Sequence, residues 1–193
     1  MVLLTVPNAL TLLRLFLVPC FMVASFRGHF LLAFVLFVTA AVTDIFDGMI
    51  ARRFNQRSRI GALLDPAADK TMMICGYLFY TLHPSVRMPI PEWLTITVFA
   101  RDFMIILFAY LLYTRIQVKR FDPSWAGKLS TVLQAAALGG GVAMNAFMPP
   151  SFYWLPEILF RLSLLMTLYS AFDYLRLGRR ILDESLTAAV ARP

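Results

Sequence analysis

Long apolar runs broken by short polar stretches dominate the chain, near residues 8–26, 30–52, 60–82, 91–114, 125–147 and 153–176. Each run approaches or exceeds the roughly 20 residues that an α-helix needs to cross a bilayer. Phe, Leu, Met and Ala fill them, with Gly and Pro inside or beside them, as membrane helices allow. The pattern predicts an all-α, polytopic integral membrane protein with six transmembrane helices. The connections are short, and no Ser/Gly-rich linker, internal repeat or low-complexity tract separates them, so residues 1–193 are expected to form a single membrane-embedded domain. Ala135, Ala136, Ala137, Gly139, Gly140 and Gly141 in the fifth run favour close helix packing.

Composition agrees. Of 193 residues, 60% are hydrophobic and the mean hydropathy is +0.71, beyond the apolar half that is usual for soluble domains. The net charge of +7 says more through its placement. Arg52, Arg53, Arg57 and Arg59 follow the second run, Arg115, Lys119, Arg120 and Lys128 lie between the fourth and fifth, and Arg176, Arg179 and Arg180 follow the sixth. The alternate connections carry Arg27, Arg87 or no charge at all. By the positive-inside rule, both termini and the basic loops face the cytoplasm. Topology thus accounts for the basic charge without nucleic acid, and an affinity for anionic headgroups and phosphates remains compatible with it. The N-terminus lacks a basic leader and Arg14 interrupts its apolar core, so no cleaved signal peptide is expected.

One stretch resists this reading. "DIFDGMIARRFNQRSRIGALLDPAADK", residues 44–70, places Asp44, Asp47, Asp65 and Asp69 at the ends of two apolar runs. At about 100° per residue, Asp44, Asp47 and Ala51 fall within roughly 60° of one another on a helix. Gly61, Asp65 and Asp69 recur at spacings of four and also share a face. A short basic loop returns the chain, so the two acidic faces are expected to oppose each other at the cytoplasmic ends of antiparallel helices.

An Asp at the centre of a span costs about 2.5–3.5 kcal/mol on insertion scales, and clustered like charges repel in addition. Arg52 and Lys70 offset part of this, but point charges do not require such regular spacing. One or two divalent cations match it better, because hard cations gather several oxygen ligands, and Mg²⁺ keeps positions open for substrate phosphates. A buried ion-pair network, or helix capping by Asp65 ahead of Pro66, is the structural alternative. Gly48 and Ala51 leave room beside the acidic face for a bulky ligand. A metal pair in a groove near a membrane surface suits transfer of a phosphate-linked group.

The pattern D-x-x-D-G-x-x-A-R-x8-G-x-x-x-D-x-x-x-D is met without a gap by Asp44, Asp47, Gly48, Ala51, Arg52, Gly61, Asp65 and Asp69. It resembles the signature of the CDP-alcohol phosphatidyltransferases. That resemblance implies a six-helix membrane enzyme, usually a homodimer, which displaces CMP from CDP-diacylglycerol with an alcohol at a site open to the cytoplasm. It implies metal ligation, by Mg²⁺ or Mn²⁺ as a two-ion site, through Asp44, Asp47, Asp65 and Asp69, with Asp69 also the general base. Gly48, Ala51, Arg52 and Gly61 would line the CDP-lipid site. "PNALTLLR", "LDPAADK" and "GKLSTVLQ" are similar to bacterial members that use glycerol 3-phosphate, which points to a bacterial inner membrane. Arg101-Asp102 with "MII" at 104–106 instead resembles members that use phosphatidylglycerol and make cardiolipin.

A glycerol 3-phosphate acceptor brings its own dianion and needs cations beyond the metals. Arg101, Lys128, Arg57 and Arg59 are the candidates, Arg being suited to bidentate phosphate contacts. The structural alternatives are a topology charge for Lys128 and an ion pair with a polar neighbour on another helix for Arg101. A divalent-cation transporter is the reading from a different class. Acids at cytoplasmic helix ends, rather than at the bilayer centre, weigh against it.

Overall fold

The computed structural model describes residues 6–54, 61–116, 124–147, 152 and 154–190. They form six α-helices: α1 (Val6–Phe26), α2 (Phe30–Phe54), α3 (Gly61–Leu82), α4 (Glu92–Ile116), α5 (Trp125–Phe147) and α6 (Trp154–Val190). The fold is all-α, and five helices match the apolar runs to within two residues at either end. The sixth departs, continuing to Val190 rather than stopping near 176. Apolarity marks where lipid contact ends, not where a helix ends. From Leu177 to Val190 the sequence turns polar but supplies Leu, Arg and Ala and no Pro, so the helix continues. Pro7 lies in the first turn of α1, where its missing N–H costs nothing.

The chain divides into two compact units, Met1–Ile90 with Leu138–Pro156, and Pro91–Ala137 with Glu157–Pro193. In the first, α1 turns back into α2 through Gly28, whose φ of +72° favours a residue without Cβ. The Gly28 N–H donates to the Ser25 carbonyl (3.0 Å) and the His29 N–H to that of Ala24 (2.9 Å). Phe21, fully buried, packs against Phe37 of α2 and Tyr80 of α3, with ring centroids 6.2 and 6.1 Å apart. Phe30, which opens α2, meets Tyr80 near the end of α3, so α2 and α3 run antiparallel. Ala24, Ala33 and Ala40 are buried and let the backbones approach. Gly139 of α5 does the same against Phe37, since an added Cβ would stand 2.9 Å from the ring.

In the second unit the buried groups are unusually polar. Arg101 of α4, Ser130 and Gln134 of α5, and Ser163, Thr167 and Ser170 of α6 are all buried. The Gln134 amide donates to Ser130 Oγ (3.2 Å) and Thr167 Oγ1 (3.0 Å), tying α5 to α6. Large apolar side chains lie outside instead, among them Ile96, Phe103, Ile106 and Leu165, each about two-thirds exposed, as is Phe16 in the first unit. Small and polar residues inside with large apolar ones outside is the arrangement expected where lipid is the solvent.

Among the described residues, Trp154–Arg180 is the one helix both long and apolar enough to cross a membrane by itself, while Leu12–Phe26 and Phe30–Asp44 are shorter apolar segments. Those two begin or end beside charged residues, and the charges have a use described below.

Asn145 closes the first unit. Its Oδ1 accepts from the backbone N–H of Arg87 (2.8 Å) and Met88 (3.2 Å), and its Nδ2 donates to the carbonyls of Met88 (3.1 Å) and Gly141 (2.8 Å). Asn145→Ala would strip the segment after α3 of both acceptor and donor. A loss of about 3 kcal/mol is expected from unsatisfied backbone groups, read as a lower unfolding temperature in detergent.

Candidate functional site

The acidic signature occupies the second half of α2 and the first turns of α3. Because α2 and α3 are antiparallel, these segments lie at the same end of the first unit. Asp44, Asp47, Gly48, Ala51 and Arg52 share one continuous helix, and Gly61, Asp65 and Asp69 share the next. At 1.5 Å per residue, Asp44 stands about 15 Å short of the end of α2 and Asp65 about 6 Å inside α3. The side chains of Asp47, Gly48, Ala51, Arg52, Gly61, Asp65 and Asp69 lie outside the described residues, and so do Arg57 and Arg59 altogether.

Asp44 is described, and it carries a partner that sequence reasoning missed. Arg14 Nη1 donates to Asp44 Oδ1 at 3.0 Å. The arginine is 2% exposed and the aspartate 51%. A guanidinium that deep is tolerable only beside an anion. Its sequence signal was the charge that breaks an otherwise apolar α1, but nothing in the sequence says which acid it meets. The pairing follows from the hairpin through Gly28, which brings α1 and α2 side by side.

The geometry fits a carboxylate with two tasks. An ionised carboxylate offers about four acceptor positions. The bond to Arg14 uses one of them, and the exposed half of the group retains acceptor capacity for a hard cation such as Mg²⁺. Among the described residues, no three acidic, His or Cys groups converge on one point.

Arg101 shows a different character. It is 6% exposed. Nη1 donates to Asp102 Oδ1 (2.8 Å), Nη2 to Ser170 Oγ (2.9 Å) and to the Gly127 carbonyl (3.3 Å), and Nε to Ser170 Oγ (3.3 Å). The guanidinium also stands 5.6 Å from the Tyr174 ring centroid. The sequence offered an ion pair with a polar neighbour on another helix as the structural alternative. Here the ion pair is with the adjacent Asp102 on α4 itself, and the neighbour on another helix, Ser170 of α6, is a hydrogen-bond partner. Gly127 is required where it is, because an added Cβ would lie 2.6 Å from the Tyr174 hydroxyl.

Lys128 follows the carbonyl that Arg101 binds, yet its side chain is exposed. Ser124 fixes the start of α5, its Oγ accepting from the Gly127 N–H (3.0 Å) and its carbonyl from the Lys128 N–H (3.1 Å). The buried Arg101 of α4 therefore bonds the backbone next to Lys128 of α5, whose own side chain is exposed. Ser170 and Tyr174 had no sequence signal beyond polar residues one helical turn apart on α6.

Comparison with known proteins defines the class. The model of the CDP-alcohol phosphatidyltransferase family matches residues 4–170, and the chain belongs to that family. The family is membrane-associated, which agrees with the apolar exterior and the candidate span in α6. The chain is also similar to particular members. A Mycobacterium tuberculosis protein named probable phosphatidylglycerophosphate synthase is 37% identical over 138 residues, 68% of this chain. The match spans 63% of the length of that mycobacterial relative. CDP-diacylglycerol–glycerol-3-phosphate 3-phosphatidyltransferases of Salmonella typhimurium and Escherichia coli are each 31% identical over 194 residues, covering 93% of this chain and 98% of theirs.

Breaking the Arg14–Asp44 pair should register as stability before chemistry. Loss of one partner of a fully buried pair costs about 3–5 kcal/mol. Asp44 is half exposed, so about 1–3 kcal/mol is expected for Arg14→Gln after solvent screening. Asp44→Asn removes a counter-charge from a buried guanidinium and should lower the unfolding temperature as well. Thermal unfolding of both variants against wild type measures it.

Proposed function

We propose that this chain transfers the phosphatidyl group of CDP-diacylglycerol to sn-glycerol 3-phosphate, giving phosphatidylglycerophosphate and CMP. The observation that carries the reading is the gap-free eight-position signature on two antiparallel helices of a chain in this family. The names of the Salmonella and Escherichia relatives support glycerol 3-phosphate as acceptor. In this reading the chain acts as one membrane-embedded domain of six spans in a bacterial inner membrane, with its active site and both termini toward the cytoplasm. It works as a homodimer.

Asp44, Asp47, Asp65 and Asp69 would hold two divalent ions, Mg²⁺ or Mn²⁺. When bound, such ions neutralise a diphosphate and stabilise a leaving phosphate oxygen. The chain's own residues do the rest. Arg14 holds one oxygen of Asp44 and orients its carboxylate. Gly48, Ala51 and Gly61 leave space for the cytidine diphosphate beside the acidic face, and Arg52 contacts its phosphates. Asp69 takes the proton from the glycerol 3-phosphate hydroxyl as that oxygen forms its bond to the lipid-bearing phosphorus. The bond from this phosphorus to the CMP oxygen breaks, and CMP leaves with the electron pair.

Lys128 supplies an exposed cation for the acceptor phosphate, with Arg57 and Arg59 as further candidates from the loop between the acidic helices. Arg101, whose guanidinium is already engaged, would contribute chiefly by fixing the start of α5.

Purified protein given CDP-diacylglycerol and Mg²⁺ should release CMP with glycerol 3-phosphate, and not with serine or inositol phosphate. Release with phosphatidylglycerol alone would instead make it a cardiolipin-forming member. No release with any acceptor would reject the enzymatic reading.

Asp47→Asn and Asp65→Asn should each lower turnover more than about a hundredfold, the scale of losing a group that stabilises developing charge. Asp69→Asn should lower kcat far more than it weakens CDP-lipid binding. Lys128→Gln should raise the KM for glycerol 3-phosphate about tenfold while leaving that for CDP-diacylglycerol near wild type. An unchanged acceptor KM removes Lys128 from the site.

A further inference from the structure

A second polar site lies at the opposite end of α2. The turn between α1 and α2, the start of α2 and the segment after α3 border an open surface cleft of about 820 Å³, lined among others by His29, Leu31, Leu32, Val35, Arg87 and Asn145. At 1.5 Å per residue it stands about 21 Å along α2 from Asp44. Nothing in the proposed reaction uses it.

Arg87 is exposed, and among the described residues no carboxylate pairs with it. Its backbone, by contrast, is held firmly. Val86, Met88 and Ile90 are buried on alternate positions, which turns residue 87 outward. Asn145, 7% exposed, accepts from the N–H of both Arg87 and Met88. A buried amide thus fixes the backbone from which this arginine projects. His29 adds a second nitrogen-bearing side chain to the wall. The first turn of α2 contains no acidic residue, so the positive end of its dipole adds to the field.

The lining identifies the ligand's chemistry. It contains no Asp or Glu, so it favours an anion and offers nothing to a choline or ethanolamine cation. A guanidinium takes phosphate oxygens two at a time. Leu31, Leu32 and Val35 are each at least half exposed along the α2 wall, apolar surface that an inorganic ion would leave uncovered. The volume is within the range of sites that hold small organic ligands, about 300–1,000 Å³. We propose that this cleft binds the phosphate of an anionic phospholipid through Arg87 and His29, with an acyl chain lying along Leu31, Leu32 and Val35. The site is independent of the phosphatidyl transfer proposed above.

The test uses the full chain, purified and stripped of lipid in detergent, with bound lipid counted by native mass spectrometry. Wild type should retain dioleoyl phosphatidylglycerol over dioleoyl phosphatidylcholine by about tenfold, and Arg87→Gln should lose most of that preference. Among the described residues the exposed Arg87 side chain has no hydrogen bond or ion pair, and Arg87→Lys, which keeps the charge, should keep much of the preference. Arg27→Gln, an exposed arginine in the same α1–α2 turn that does not line the cleft, should behave as wild type. Asp47→Asn should also keep it, which separates this site from the acidic one. Equal retention of both lipids by wild type, an undiminished preference in Arg87→Gln, an equal loss in Arg27→Gln, or a loss in Asp47→Asn would each overturn the proposal. Displacement of the lipid by inorganic phosphate at matched concentration would also overturn it, in favour of a site for the free ion.

Discussion

The ion pair between Arg14 and Asp44 sets the terms for the first half of this molecule. Both residues interrupt apolar helices, and each alone would be a liability in lipid. Brought together by the hairpin at Gly28 they compensate each other, at 3.0 Å, with the arginine almost fully buried. The pair therefore fixes the register of α1 against α2 and fixes the first acid of the signature. Arg101 and Asp102 solve the same problem on adjacent positions of α4, with Ser170 and the Gly127 carbonyl sharing the load. In a medium that does not solvate charge, each charge specifies its neighbours.

That constraint links fold to proposed chemistry. The proposed metal site would draw on acids carried at one end of two antiparallel helices, where like charges need cations to offset them. Arg14 meets part of the need for Asp44, leaving that carboxylate half exposed and able to accept more. The polar ladder of Gln134, Ser130 and Thr167 is the neutral counterpart in the second unit. It joins α5 to α6 by hydrogen bonds where lipid provides no hydrophobic force between helices. Rigidity there holds the backbone that bears Lys128.

Much of this was legible in the sequence. Apolar run length marked six helices and most of their boundaries, because in five of the six the apolar run and the helix end together. It missed the far end of α6, since the residues after Arg176 leave the apolar pattern without leaving the helix. The signature located the acidic residues and their two helices, because helical periodicity alone puts Asp44 with Asp47, and Asp65 with Asp69, on common faces. Long-range partners were not legible. Arg14 read as an interruption, and only the hairpin reveals the acid it meets. Arg101 was read as a candidate phosphate ligand with an ion pair as the alternative; Asp102 is its neighbour in sequence, but its bonds to Ser170 and Gly127 depend on helix packing that no local pattern encodes. Asn145 was silent for the same reason, since its partners lie 57 and 58 residues away.

The claim that the acidic helices exist to hold divalent cations is tested most directly by binding, apart from turnover. Electron paramagnetic resonance of Mn²⁺ titrated into purified protein counts bound ions without a substrate. The account predicts saturable binding of about two ions per chain, as a two-metal phosphoryl-transfer site requires, with loss of that binding in the Asp47→Asn/Asp65→Asn double variant. Absence of saturable binding in wild type, or binding undiminished in the double variant, would contradict it.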